Sequence, residues 1–288
     1  MAETVAISAG SPSGVLRILR HRSFVLGLLL FGFVLAAALL ADWIAPHSPV
    51  ANNYRYRLGV PNDVYPLGTD RFGRDVLSRI LHGARVSLRI GFAVAMLTAV
   101  LGALVGGLAG YFRAVDNPLM RLMDALMAFP GVLLAIAVAA FLGPSEINVI
   151  IALTVAYTPR TARVARAAVL VIREAPYIEA ARALGARHGR VLLRHILPNG
   201  LTPLIVQTTF VFALAILAEA VLSFIGVGPP PPTPTFGNVI AEGRDYIREA
   251  PWISLFPGIA ISIAVLGLNL LGDGLRDFLD PRLKGVLR

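Results

Sequence analysis

The chain has no cysteine and a single lysine, Lys284, and only 15% of its 288 residues are charged. Without cysteine, disulfides, thiolate metal sites and cysteine nucleophiles are all excluded. A phosphate-binding loop needs Gly-Lys-Ser/Thr, and here the lysine is followed by Gly285 and Val286, so the chain carries no nucleotide-hydrolysing motif of that type. Neither His-Glu-x-x-His nor Gly-x-Ser-x-Gly occurs. His188 and His195 lie seven apart with no third ligand, which makes no metal site. No internal repeat is evident. The shortage of charge matters most, because a soluble domain carries about a quarter charged residues. This chain lacks the polar surface to cover itself in water.

What is there instead is apolar sequence, 56% of the chain, and it is clustered. Phe24–Ala41 runs for 18 residues without a charge. Ile90–Phe112, Ala125–Ser145, Ile196–Ala218 and Ala250–Gly272 run for 23, 21, 23 and 23. About 20 apolar residues cross the hydrocarbon core as a helix, so five spans read directly. Ile147–Pro159 is short, but a helical pattern continues through Arg160, Arg163 and Arg166 to Ile172 and predicts a sixth. The expected fold is all-α, a polytopic membrane protein of about six transmembrane helices. Arg17, Arg20 and Arg22 precede the first run as they would in a signal peptide, yet its apolar stretch exceeds the roughly 7–15 residues of a signal core. It reads as an uncleaved first helix.

The net charge of +9 bears on orientation rather than on nucleic acid, because basic residues accumulate on the cytoplasmic side of membrane proteins. With the N-terminus inside, 17 of the 26 basic residues face the cytoplasm and 9 face outward. The segment 46–89 fits this rule poorly, with 7 of those 9. Asp75–Arg89 has an amphipathic pattern, with Val76, Ile80, Leu81 and Ala84 on one side and Arg79 and Arg85 elsewhere, which places it along the membrane interface. Pro130, Pro203 and Pro257 fall inside predicted spans and are expected to kink them. Pro229–Pro232 reads as a stiff polyproline connector.

The most informative stretch is Glu179–Pro198. Ala175–Leu184 is a good helix former. Gly185 stands where a helix ends in the left-handed conformation, a second short helix follows to Arg194, and Pro198 marks the return to the membrane. Glu179-Ala180-Ala181, then Gly185, then Leu197-Pro198 twelve residues later, resembles the EAA loop of ABC importer permeases. The pattern's Ile two places before Leu-Pro is His195 here, with Ile196 beside it. Further blocks resemble the dipeptide/oligopeptide/nickel branch of these permeases, C-type member: Pro66-Leu-Gly-Thr-Asp70 through Gly73-Arg74-Asp75 to Arg79, Leu222–Gly228, Pro251-Trp252, and Asn269 through Asp273, Arg276 and Asp277 to Asp280-Pro281-Arg282.

The resemblance implies a type I ABC importer permease that forms a heterodimer with a homologous permease and works with two ATP-binding subunits and an extracytoplasmic substrate-binding protein. ATP and Mg act on those partner subunits, and this chain binds no cofactor and catalyses nothing itself. It implies that Glu179, Ala180, Ala181, Gly185, Leu197 and Pro198 form the loop that docks on an ATPase. The chain then divides into a cytoplasmic tail (1–23), a first helix (24–45), an outer loop with its amphipathic segment (46–89), a core (90–275) with the coupling loop at 174–198, and a cytoplasmic tail (276–288). Peptides are the branch's commonest cargo. Nickel chelates, glutathione, opines and haem are alternatives.

Three further features stand on their own. Arg163 and Arg166 share a helical face, and either meet headgroups or support the coupling loop. Glu219 closes a long apolar run, as a structural acceptor near the outer interface or as part of a substrate path. Asp273, Arg276, Asp277 and Asp280 anchor the end of the last helix through local ion pairs. The rival classes, a polytopic membrane enzyme and an ion-coupled carrier, call for catalytic groups or paired charges inside the spans, and the spans are nearly free of both.

Overall fold

The structure, a computed structural model, describes residues 21–279. Arg17, Arg20, Asp280, Pro281 and Arg282 lie outside the described residues, as do most of the two tails. Among the described residues nine helices carry the architecture: α1 (Arg22–Leu39), α2 (Val76–Tyr111), α3 (Arg113–Met127), α4 (Gly131–Leu142), α5 (Glu146–Ile172), α6 (Pro176–Ala183), α7 (Leu201–Phe224), α8 (Phe236–Gly243) and α9 (Trp252–Leu279). No strand occurs among the described residues, as backbone groups in lipid require: a helix satisfies its own donors and acceptors. Among the described residues four helices (α1, α2, α7 and α9) are long and apolar enough to cross a membrane, and α3 and α4 pass the same test only when counted together as one broken span. The expected sixth span, α5, has the length at 27 residues but carries Arg160, Arg163 and Arg166 in its second half and is not among them.

Three expectations are corrected. The 36-residue α2 starts at Val76, well before the expected span, with the Asp75 carboxylate capping its first turn through the Ser78 N–H at 2.9 Å. At 1.5 Å per residue it is about 54 Å long, against a hydrocarbon core of about 30 Å. The segment Asp75–Arg89 is therefore the projecting end of a spanning helix and not an interfacial one. It is also buried: Arg79 is 1% exposed. Second, Ala125–Ser145 is not one kinked span. It breaks at Pro130, which precedes α4, and α3 and α4 meet at 88°. Third, Pro203 kinks nothing, since it falls in the first turn of α7, where a missing N–H has no partner to lose.

Of the basic residues of the 46–89 segment, Arg74, Arg79, Arg85 and Arg89 find acids instead of headgroups. Asp70 accepts from Arg74 Nε at 2.6 Å and from Arg79. Glu242 on α8 accepts from Arg74, and from Arg79 at 2.5 and 3.1 Å. Two cations thus meet two anions in a nearly closed pocket, joining the loop before α2 to α8. Arg89 reaches Glu146 at the start of α5 with a two-pronged contact of 2.6 and 2.8 Å. Trp252 donates its indole N–H to the Thr69 carbonyl at 3.2 Å, tying α9 to the same loop. Asn238 holds the Pro229–Pro232 connector by donating to the Pro229 and Thr233 carbonyls.

Apolar burial alone does not hold helices together in lipid, because the tails are as apolar as the side chains, and close backbone approach does the work instead. Gly102, Gly106 and Gly110 stand four apart on α2 and face α5. A Cβ on Gly106 would lie 2.2 Å from the Ala162 carbonyl oxygen, and one on Gly102 or Gly110 would meet Thr161 or Val169. Gly27 of α1 and Gly267 and Gly274 of α9 make the same kind of seam between the first and last helices.

Two measurements check this packing. Gly106→Val is expected to destabilise the chain by about 1–3 kcal/mol through overpacking, read as a lowered unfolding temperature in detergent, while substitution at open Gly32 changes little. Glu242→Ala leaves Arg79 short of a counter-charge and is expected to cost about 3 kcal/mol, the usual result of removing one member of a buried pair.

Candidate functional site

At the Tyr111 end of α2, the chain between α5 and α7 folds into a compact protrusion. Arg173 closes α5: its Nη1 donates to the Gly110 carbonyl at 2.8 Å, serving one of the acceptors a helix end leaves unpaired, and its Nε holds Glu174 at 2.9 Å. Pro176 then starts α6 at the position where proline is best tolerated. α6 agrees with the expected Ala175–Leu184 to within a residue at each end. Its end is a complete Schellman turn. The Gly185 N–H donates to the Arg182 carbonyl at 2.9 Å, the Ala186 N–H donates to the Ala181 carbonyl at 3.0 Å, and Gly185 has φ +85°. A Cβ on Gly185 would meet nothing within 4 Å, so the glycine is required by its dihedral and not by space.

The return limb is His188–Arg190, a π-helical stretch Val191–Ile196, and the turn Leu197–Asn199. A π turn takes up one more residue than an α turn. That addition shifts the phase of the limb, so Ile196 points inward and is fully buried while His195 is half-buried. The apolar place that the motif assigns to residue 195 is filled by its neighbour.

Ile178, Val191 and Ile196 form a buried keel seated on Tyr111 at the end of α2 and Val169 at the end of α5. The Tyr111 hydroxyl bonds His188 Nδ1 at 2.9 Å, and the Arg182 guanidinium lies over the Tyr111 ring. The opposite side of the loop is bare. Glu179, Ala180, Gly185 and Pro198 are exposed, and Leu184 is 90% exposed. Ala181 and Leu197 are half-buried and bind the crown to its base. Glu179 makes no ion pair among the described residues. The protrusion is therefore an apolar foot locked onto the ends of α2 and α5, with Glu179, Ala180, Leu184 and Gly185 turned outward. Sequence reasoning weighed His188 only as a metal ligand and passed over Tyr111. Both prove to be the seat of the loop, and the aromatic closing a span was the available signal.

Other expected residues fall elsewhere. Arg163 and Arg166 do not brace the loop: their acceptors are Asp124 at 2.5 Å and Asp116 at 2.6 and 2.7 Å, both on α3. They fix the bent pair α3–α4 against α5. Glu219 is fully buried and accepts from Ser87 at 2.7 Å and Ser223 at 2.6 Å, while Ser87 Oγ accepts from the Phe236 N–H at 3.3 Å. It links α2, α7 and α8 and lines no open path. Asp273 and Arg276 form no local ion pair with Asp277 among the described residues. Asp277 instead faces His21, 3.4 Å away, before α1.

Residues 89–285 match the family of binding-protein-dependent transport system inner membrane components. The chain belongs to this family. Residues 14–61 also match the N-terminal transmembrane domain of oligopeptide transport permease C. It is 57% identical over 268 residues to a Brucella abortus protein provisionally named a peptide transport system permease protein, covering 93% of this chain and 90% of that one. It is 44% identical to the di/tripeptide transport system permease protein DppC of Pseudomonas aeruginosa, covering 92% and 90%. To the glutathione transport system permease protein GsiD of Pectobacterium atrosepticum it is 41% identical, covering 93% and 90%. The chain is a multi-pass membrane component of a transport system, and not an enzyme.

Because Ile178 is fully buried in the keel, Ile178→Ala is expected to loosen the loop by about 2–4 kcal/mol. Hydrogen–deuterium exchange should rise across 176–198 and stay unchanged in the cores of α2 and α5.

Proposed function

We propose that this chain is the C-type permease of a peptide importer and that Glu179–Pro198 is where an ATPase subunit drives it. The observation that carries this reading is the division of the loop into a buried foot and a bare crown. A force applied to Glu179, Leu184 and Gly185 passes through Ile178, Val191 and Ile196 to the ends of α2 and α5, and through Pro198 into α7. Basic residues concentrate at this end of the bundle, which favours a cytoplasmic position for it, with both termini on the same side. The network of Asp70, Arg74, Arg79 and Glu242 then faces outward, toward the substrate-binding protein that delivers the cargo.

A second, homologous permease completes the path, and ATP and Mg are held by the two ATPase subunits. Glu179, free of any partner among the described residues, pairs with a basic group on the ATPase. A docked loop shifts the bundle between inward- and outward-open states only where its contacts differ between them, and the rigid Schellman turn keeps such differences from being lost in loop bending. Peptides are the cargo assigned here, on the strength of relatives named for peptide, dipeptide and di/tripeptide transport.

The test is Gly185→Val in the complete transporter reconstituted in liposomes. A β-branched residue at a positive φ is strained by about 1–2 kcal/mol, which unwinds the turn. ATP hydrolysis should persist while peptide uptake per ATP falls several-fold. Uptake still coupled at the wild-type ratio would overturn the assignment.

A further inference from the structure

Beside the loop lies a second feature with a chemistry of its own. Between the ends of α2 and α5, the start of α3 and the outer side of α6 is a cleft of about 520 Å³. Arg113, Arg173, Arg182, His188, Glu174 and Tyr111 line it. Glu174 is its only acid, and it is engaged with Arg173. Arg113 and Arg182 form no ion pair among the described residues, so the cleft holds two uncompensated guanidinium groups. Arg182 is held over the Tyr111 ring, 5.5 Å from its centroid, which fixes its plane without using its donors. His188 bonds Tyr111 through Nδ1, leaving Nε2 for the cleft.

Position narrows the ligand. The charge-free run of α2 ends at Phe112 and Arg113 is the next residue, so the cleft opens at the depth where hydrocarbon gives way to headgroups. Fork-shaped guanidinium groups match the oxygens of a phosphate, and basic pockets between spanning helices at that depth select anionic headgroups. We propose that this cleft binds a phosphate group, supplied by an anionic phospholipid of the surrounding bilayer. A lipid seated there touches Arg182 on α6 and Arg113 at the start of α3, joining the membrane to the base of the loop.

The full-length chain, purified in detergent, tests this by native mass spectrometry and thermal shift with phosphatidylglycerol, phosphatidylcholine and inorganic phosphate as separate probes. Phosphatidylglycerol should bind saturably and phosphatidylcholine should not. Arg113→Gln combined with Arg182→Gln should weaken retention about 30-fold, from a roughly fivefold contribution per arginine at a membrane surface. The double Lys variant, which keeps the charge, should stay within a few-fold of wild type. Both side chains are exposed, so the Gln variant is expected to unfold at the wild-type temperature. Inorganic phosphate that displaces the lipid and stabilises the lipid-free chain equally well would retain the phosphate site but assign it to soluble phosphate esters. Equal binding of the two lipids, or undiminished phosphatidylglycerol binding by a folded Gln variant, would overturn the site. So would exclusion of the lipid once ATPase subunits are assembled, which would make the cleft part of a protein interface.

Discussion

The close approach of α2 and α5 along Gly102, Gly106 and Gly110 is the contact on which the rest of the structure depends. Any side chain at Gly106 would strike the backbone of α5. Because the helices touch there, their ends come together, and Tyr111 and Val169 make one apolar platform. The loop between α5 and α7 has no other seat. A bundle held by bulkier ridges would separate those ends and leave Ile178, Val191 and Ile196 without a surface to bury. The seating of the loop is thus a consequence of small residues deep in a span.

Charge is handled by the same economy. Arg74, Arg79 and Arg89 near the Asp75 end of α2 are neutralised by Asp70, Glu242 and Glu146, and Arg163 and Arg166 on α5 by Asp124 and Asp116. Burying a charge without a partner costs several kcal/mol, so each buried guanidinium has an acid placed by another element. Arg113 and Arg182, which pair with no acid among the described residues, lie at the membrane surface beside the loop. The contrast between the two ends of α2 separates basic residues that build the fold from basic residues that remain available.

Sequence reasoning reached the helical class, the membrane, the loop and its turn. Hydrophobic runs report directly on hydrocarbon thickness, and a left-handed glycine after a helix former reports on a local turn. It was less reliable where a residue's role depends on a distant partner. Arg79 has the appearance of an interfacial cation until Glu242, far along the chain, is brought beside it. Arg163 and Arg166 carry no mark that points to α3 rather than to the loop. The 88° bend at Pro130 was expected only as a kink, because a proline says that a helix is interrupted and not in which direction the next begins.

By itself the sequence determined what is local: which stretches are apolar enough to span, where helices start and stop, and the Schellman turn at Gly185. Each follows from a few neighbouring residues and the dihedrals they allow. Tertiary structure alone decided which glycines meet which carbonyls, which acid answers which arginine, and that the π turn before Leu197 puts Ile196 in place of His195 on the keel. Those outcomes rest on contacts between residues tens to more than a hundred positions apart, and a repeat such as Gly102, Gly106 and Gly110 marks a face open to close approach without naming the helix that meets it.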